Sequence, residues 1–189
     1  MSQSIVESID TSELSEIGEL GTWMLTSSKP AHGSFQLRDN NLETYWQSDG
    51  LTPHTLSVEF SERVVLSHVA IYLEYEKDES YTPSHFELLL GTGWYDTESV
   101  FNASLTEPVG WVVIDLTSED DMKISDESEN QRTKGIGCHI LKLIVSKMHQ
   151  NGRDTHIRQI KLFSKMNLGL YHEHDAFTTD EMNQYHSVR

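Results

Sequence analysis

Gln150–Phe163 reads QNGRDTHIRQIKLF. Its first half, Asn151-Gly152-Arg153-Asp154-Thr155-His156, crowds an amide, a guanidinium, a carboxylate, a hydroxyl and an imidazole into one turn. Asn-Gly is a turn signal, because glycine takes positive φ without steric cost. In the second half Ile160 and Leu162 alternate with polar residues at strand spacing. The stretch therefore reads as a polar tip mounted on a strand, the arrangement by which a rigid sheet presents a binding loop. Taken alone it reads first as a solvated turn with a local Arg153–Asp154 pair, and it is the rest of the chain that favours the binding loop.

Outward from this stretch the pattern is repeatedly β. Thr55–Phe60 alternates with Leu56, Val58 and Phe60 on one face, and Val64–Tyr75 reads as one longer strand carrying Val69, Ile71 and Leu73. His85–Leu90, Trp111–Leu116, Cys138–Lys147 and Ile157–Phe163 follow, with a weaker signal over Trp94–Phe101. About seven strands and no long amphipathic helix argue for an all-β sandwich rather than an α/β fold. Between strands, Leu37–Gly50 reads as a loop in which Asp39 or Asn40 caps a short turn and Tyr45-Trp46 plugs the end of a core. Glu74–Pro83 joins two strands with more chemistry than a hairpin needs.

One domain with tails fits 189 residues. A core of that size buries about 70% of its unfolded surface and needs no disulfide or metal to fold. Residues 1–19 are acidic and polar and read as flexible, at most a frayed helix near Thr11–Ile17. The domain is expected over 20–164, with 117–135 an acidic, Ser-rich flexible insertion and 165–189 a tail. The single cysteine, Cys138, lies in an apolar run and reads as a buried, inert thiol.

Fourteen Lys and Arg against thirty Asp and Glu give a net charge of −16. That balance repels nucleic acid and anionic membranes and favours basic peptides or partner surfaces. No apolar run approaches the ~20 residues that span a bilayer, and the first residues lack the pattern of a secretory leader. The expectation is an intracellular, soluble chain.

Enzyme signatures are weak. Ser48, Asp154 and His156 can be drawn as a triad, but no serine sits in a nucleophile elbow. His172 and His174 lack further ligands at finger-like spacing, and Asp39, Glu43 and Asp49 lack the regular spacing of a calcium loop. No metal or cofactor is expected.

Three segments in order, LRDNNLETYWQSDG, YEKDESYTPSHFEL and HQNGRDTHIRQIKLF, resemble the DOC domain of the small, conventionally tenth, DOC subunit of the anaphase-promoting complex. The resemblance covers about Leu20 to Ser164. It implies a galactose-binding-like (discoidin-like) jelly-roll β-sandwich and no catalysis by the chain. It implies a co-receptor that holds the destruction box of substrates together with a WD40 coactivator, in the nucleus and cytoplasm. Carried over by motif, the substrate contacts are Asn151, Arg153, Asp154 and His156, then Ser48 and Asp49, then Asp78, Glu79, Ser80 and Tyr81. The family tail ends in Ile-Arg and docks into a tetratricopeptide-repeat subunit; here Val188 and Arg189 stand in those positions. The rival reading is a carbohydrate-binding module, because lectin-like domains share the fold.

Overall fold

A computed structural model describes residues 14–117 and 135–165. Eleven strands follow in order: β1 Leu14–Glu16, β2 Gly21–Leu25, β3 Trp46–Gln47, β4 His54–Leu66, β5 His68–Glu74, β6 Pro83–Gly91, β7 Glu98–Ser104, β8 Val109–Asp115, β9 Ile136–Met148, β10 His156–Ile157 and β11 Gln159–Lys165. They form a four-stranded sheet, β1-β11-β5-β8, a five-stranded sheet, β2-β4-β9-β6-β7, and a two-stranded ribbon, β10-β3. All pairings are antiparallel.

The period-2 alternation explains the core. Leu56, Val58 and Phe60 of β4, Phe86, Leu88 and Leu90 of β6, and Leu141, Leu143 and Val145 of β9 point inward from the large sheet. Val69, Ile71 and Leu73 of β5, Ile114 of β8, and Ile160 and Leu162 of β11 meet them from the small one. Each such side chain, fully buried, stabilises the sandwich by about 1.5–3 kcal/mol before entropy is set against it. Cys138 is buried as expected, and burial pushes its thiol up to about 12.

Several boundaries differ from the sequence reading. Val64–Tyr75 is two strands, because the chain leaves the large sheet after Leu66 and enters the small one at His68. Ser67 makes the crossing: its N–H donates to the Phe163 carbonyl at 2.8 Å, and its own carbonyl accepts from Leu116 N–H at 2.9 Å. β7 begins at Glu98, not at Trp94. The preceding residues close a turn in which the Asp96 carboxylate accepts from Gly93 N–H and from the Thr92 hydroxyl. The folded body also begins before Leu20. Leu14–Glu16 is a strand on β11 instead of a frayed helix, Leu14 is buried, and Ile17 N–H donates to the Leu162 carbonyl at 2.8 Å. The expected insertion and tail, with His172, His174, Val188 and Arg189, fall outside the described residues apart from their edges.

The topology gives the sandwich two poles. The segments before β4, between β5 and β6, between β7 and β8, and after β9 lie at one pole, which carries the NGRDTH stretch. The β4–β5 crossing, the β6–β7 turn and residues 14, 117, 135 and 165 lie at the other.

Candidate functional site

The NGRDTH segment is held from three sides. The first hold is the β3–β10 ribbon, in which His156 pairs with Gln47 and Ile157 with Trp46. Trp46 is fully buried, and its indole N–H donates to the Ser27 carbonyl at 2.9 Å. Beyond the ribbon, Ser48 N–H donates to the Thr155 carbonyl at 3.1 Å, and Thr155 N–H donates back to Ser48 Oγ at 2.8 Å. The YWQSDG and NGRDTH segments are thus laced by backbone, and Ser48 is a buried clip.

The second hold comes from the segment between β5 and β6, a single helical turn α1, Tyr75–Asp78, followed by a 3₁₀ turn, Glu79–Tyr81. Asp78 is buried. Its carboxylate accepts from Arg158 Nε and Nη2, both at 2.8 Å, and from His156 Nδ1 at 3.1 Å. Arg158 Nη1 reaches on to the Leu42 carbonyl at 2.7 Å, so one guanidinium ties three segments together. Burial alone would raise the Asp78 carboxyl, but its bonds to His156 and Arg158 outweigh that and hold it below the usual carboxylate range. Gly152 also packs here. A Cβ on it would lie 1.7 Å from the Ser80 carbonyl oxygen, a separation no real side chain can hold. The expected reason for this glycine was positive φ. Its φ is −55°, and the left-handed residues are its neighbours Gln150 and Asn151. Close backbone approach is what requires it.

The third hold is underneath. His54 Nε2 donates to the Arg153 carbonyl at 2.8 Å. The Gln159 amide, at the start of β11, donates to the Gln36 carbonyl and to Asp39 Oδ1, both at 2.8 Å, and so organises the loop before Tyr45.

On this frame four rings stack in a column. His32 lies 4.6 Å from Tyr45, Tyr45 lies 4.2 Å from His156, and His156 lies 4.2 Å from Tyr81, with interplanar angles of 14°, 25° and 10°. His156 is thus sandwiched between two tyrosines, and its Nε2 is buried without a hydrogen-bond partner among the described residues. Stacked pairs of this kind contribute about 0.5–1.5 kcal/mol each beyond area burial.

The residues expected at the site divide in two. Asn151, Arg153, Asp49, Glu79 and Tyr81 are exposed, and Asp154 and Ser80 are half-buried. Arg153 Nε leans to the Gly50 carbonyl at 3.4 Å, Asp154 accepts from Gln47 Nε2 at 3.4 Å, and Asp49 pairs with Lys29 at 3.1 Å. Ser48, Asp78 and His156 are buried supports. Ser48 Oγ accepts from Thr155 and the Asp78 carboxylate from Arg158 and His156, so in this structure these groups face the protein itself, while His156 Nε2 has no partner among the described residues. The triad drawing fails for the same reason: Ser48 Oγ accepts from Thr155, and His156 faces Asp78 rather than Asp154. Asp39, Glu43 and Asp49 do not converge either. They are engaged with Thr44 and Gln159, with Lys77, and with Lys29. Among the described residues no group of three or more His, Cys, Asp or Glu side chains is placed to hold a metal ion.

Sequence reasoning missed Arg158, Gly152, His54, Gln159 and the rings of His32 and Tyr45 as parts of the site. Arg158 carried only a faint signal, a basic residue directly after Ile157 and before the alternating strand; once buried, its charge demands a carboxylate partner.

Comparison with solved structures places the fold. The family 32 carbohydrate-binding module of Clostridium perfringens NanJ, solved with galactose, superposes with a TM-score of 0.61 at 13% identity, covering 80% of this chain and 99% of that one. CpGH89CBM32-5 of the same organism, solved with GalNAc-β-1,3-galactose, gives 0.60 at 10% identity, covering 79% of this chain and all of the other. At such identity the likeness shows the galactose-binding-like jelly roll and nothing about ligand. Sequence comparison goes further. Anaphase-promoting complex subunit 10 of Homo sapiens is 36% identical over 179 residues, 95% of this chain and 90% of the relative. Its Drosophila melanogaster namesake is 41% identical over 147 residues, 78% of this chain and 69% of the relative. The family profile described as anaphase-promoting complex, subunit 10 (APC10), matches residues 2–187. A chain with this jelly roll, these three laced segments and that match belongs to the anaphase-promoting complex subunit 10 family.

Proposed function

We propose that this chain, as a subunit of the anaphase-promoting complex, binds substrate rather than transforming it. Together with a WD40 coactivator it holds the destruction box of ubiquitination targets in the cell cycle. The observation that carries this reading is the exposed pair Asn151 and Arg153 on a loop cross-braced by the buried Asp78–Arg158–His156 group. An amide and a guanidinium at such a tip match the exposed carbonyls and carboxylates of an extended peptide, and the brace removes the ordering cost of the loop. Each neutral hydrogen bond adds only about 1 kcal/mol net, so the contact is weak alone and gains from a second receptor on the coactivator. Ser48 Oγ, engaged with Thr155, and the buried Cys138 thiol give no support to a nucleophile. The tail ending in Val188-Arg189 is proposed to dock on a tetratricopeptide-repeat subunit, and the chain to work in the nucleus and cytoplasm.

The test is a reconstituted ligase carrying Asn151→Ala with Arg153→Ala. The variant should enter the complex normally, and ubiquitin chains added per encounter with a destruction-box substrate should fall. Unchanged processivity overturns the site. Deleting Val188 and Arg189 should weaken binding to an isolated repeat subunit; equal binding removes that anchor.

A further inference from the structure

Asn151 and Gly152 form a reactive dipeptide as well as a turn. In an asparagine-glycine pair the glycine backbone nitrogen can attack the asparagine side-chain carbonyl carbon, because no Cβ on the glycine hinders the approach. A C–N bond forms, the side-chain nitrogen leaves as ammonia with the proton that the backbone nitrogen gives up, and a five-membered succinimide remains. Water then opens that ring at either carbonyl. One opening leaves aspartate; the other leaves isoaspartate, whose main chain runs through the side-chain methylene. Asn151 is exposed, and it is the one asparagine of this chain that a glycine follows.

Ring closure needs the Gly152 nitrogen free and the peptide plane between the two residues able to turn. The fold withholds both. Gly152 N–H donates to the His149 carbonyl at 2.9 Å, which ties up the nucleophile. The same residue is pressed on the β5–β6 turn so closely that a Cβ would not fit beside the Ser80 carbonyl oxygen, and its backbone has no room to swing. The turn before it is pinned as well. His149 N–H and Nδ1 donate to the Thr82 carbonyl at 2.9 and 3.0 Å, and Glu107 N–H donates to His149 Nε2 at 3.0 Å. Gln150 Nε2 donates to the Tyr75 hydroxyl at 3.1 Å. Gln150 and Asn151 both hold positive φ, 52° and 56°, a pairing that a free chain of such residues seldom visits.

We propose that Asn151 is a self-modifying site: its conversion to aspartate or isoaspartate is held off by the folded loop and proceeds when the loop opens. The consequence, though not the chemistry, rests on the reading that Asn151 meets substrate. The amide offers N–H donors, and the carboxylate that replaces it offers none. Isoaspartate also lengthens the main chain beside Gly152, where the packing on Ser80 has no slack. Each opening thus risks an irreversible change at a residue that the closed loop protects.

The full chain and a peptide of residues 150–156 are incubated side by side at one pH and temperature, and peptide mapping separates the asparagine, aspartate and isoaspartate forms. A reaction confined to the open state runs at the peptide's rate multiplied by the open fraction. The folded chain should therefore convert at least about ten-fold more slowly than the peptide, and the two rates should converge in urea. Asp78→Ala, which loosens the turn carrying Ser80, should convert faster than the native chain. Where that variant does not fold, Tyr75→Phe, which frees Gln150, is read in its place. Equal rates for the folded chain and the peptide overturn the proposal. So does a chain that stays unconverted in urea, or a folded variant no faster than the native chain. Separately, Asn151→Asp should bind a destruction-box peptide about five-fold more weakly, the worth of one neutral hydrogen bond. Unchanged binding there removes Asn151 from the substrate site and leaves the gated conversion standing, since that is measured without any ligand.

Discussion

Asn151 and Arg153 stand in solvent at the tip of the loop, while Asp78 and His156, in the same cluster of motifs, are closed off from it. Both carboxylate oxygens of Asp78 are taken up by Arg158 and His156; the Arg153 guanidinium has one long contact to a carbonyl. The contrast shows that a motif can mix two kinds of residue. Readers, the outward-facing residues proposed to meet substrate, contribute little to the fold, and props face inward and hold the readers at fixed spacing. Mutating a whole motif at once confuses the two.

The largest separation is expected from Asp78→Ala. It leaves Arg158 buried without its carboxylate, and removing one partner of a buried pair destabilises by about 3–5 kcal/mol. Chemical denaturation should show that loss, and a change under about 1 kcal/mol would move Asp78 to the readers. The same residue predicts an acid limb. Its carboxyl is lowered in the fold from an ordinary 3.8, so its contribution is present above that value and is lost as the pH falls through the folded one. The stability gap between the native chain and Asp78→Ala should therefore narrow on acidification below about pH 4. A gap constant with pH would mean that packing, not charge, is what Asp78 supplies.

Gly152→Ala comes next. Its Cβ would meet the Ser80 carbonyl oxygen, so the two loops must part, at about 1–3 kcal/mol, the usual cost of overpacking. Substrate binding should fall together with stability, and an unaltered melting temperature would show that the approach is not needed. Ser48→Ala strands the buried Thr155 N–H and should cost about 1–3 kcal/mol by the same measurement. The smallest effect on the fold belongs to Asn151→Ala with Arg153→Ala, which should stay within about 0.5 kcal/mol while processivity drops. Destabilisation beyond 1 kcal/mol there would erase the distinction between readers and props. His156→Ala belongs with the props, because it opens a gap between Tyr45 and Tyr81.

The sandwich was legible wherever a strand ran long enough to show a period. β4 and β6 alternate over six or more residues and their inward faces were visible in the sequence, whereas β9 announced itself only as an apolar run, without a face. β1, β3 and β10, of three, two and two residues, are too short to have a period and exist only through their pairing partners. The break at Ser67-His68 was hidden because apolar runs, Val64–Leu66 and Val69–Ile71, lie on both sides, and only the switch of sheet reveals it. At the site, residue type announced chemistry and did not announce burial. Asp78 is sealed by Arg158, eighty positions away, and Ser48 by Thr155, over a hundred away. Tyr45 read as part of a plug with Trp46. Trp46 is that plug, but Tyr45 belongs to the ring column, an arrangement that needs three other segments to exist.

Leu14 and Lys165 face each other as register partners on neighbouring strands at the pole away from the loops. Tension applied through the two ends of the described body would therefore enter at one point and unzip β1 from β11 one pair at a time, because antiparallel neighbours pulled from the same end separate sequentially. The three residue pairs of β1 lie at the pole opposite the one that carries Asn151 and Tyr81, so the first contacts to part are far from the loops. Were the domain loaded through those two strands, the wiring would act as a mechanical fuse, parting at one pole and leaving the loops of the other in place.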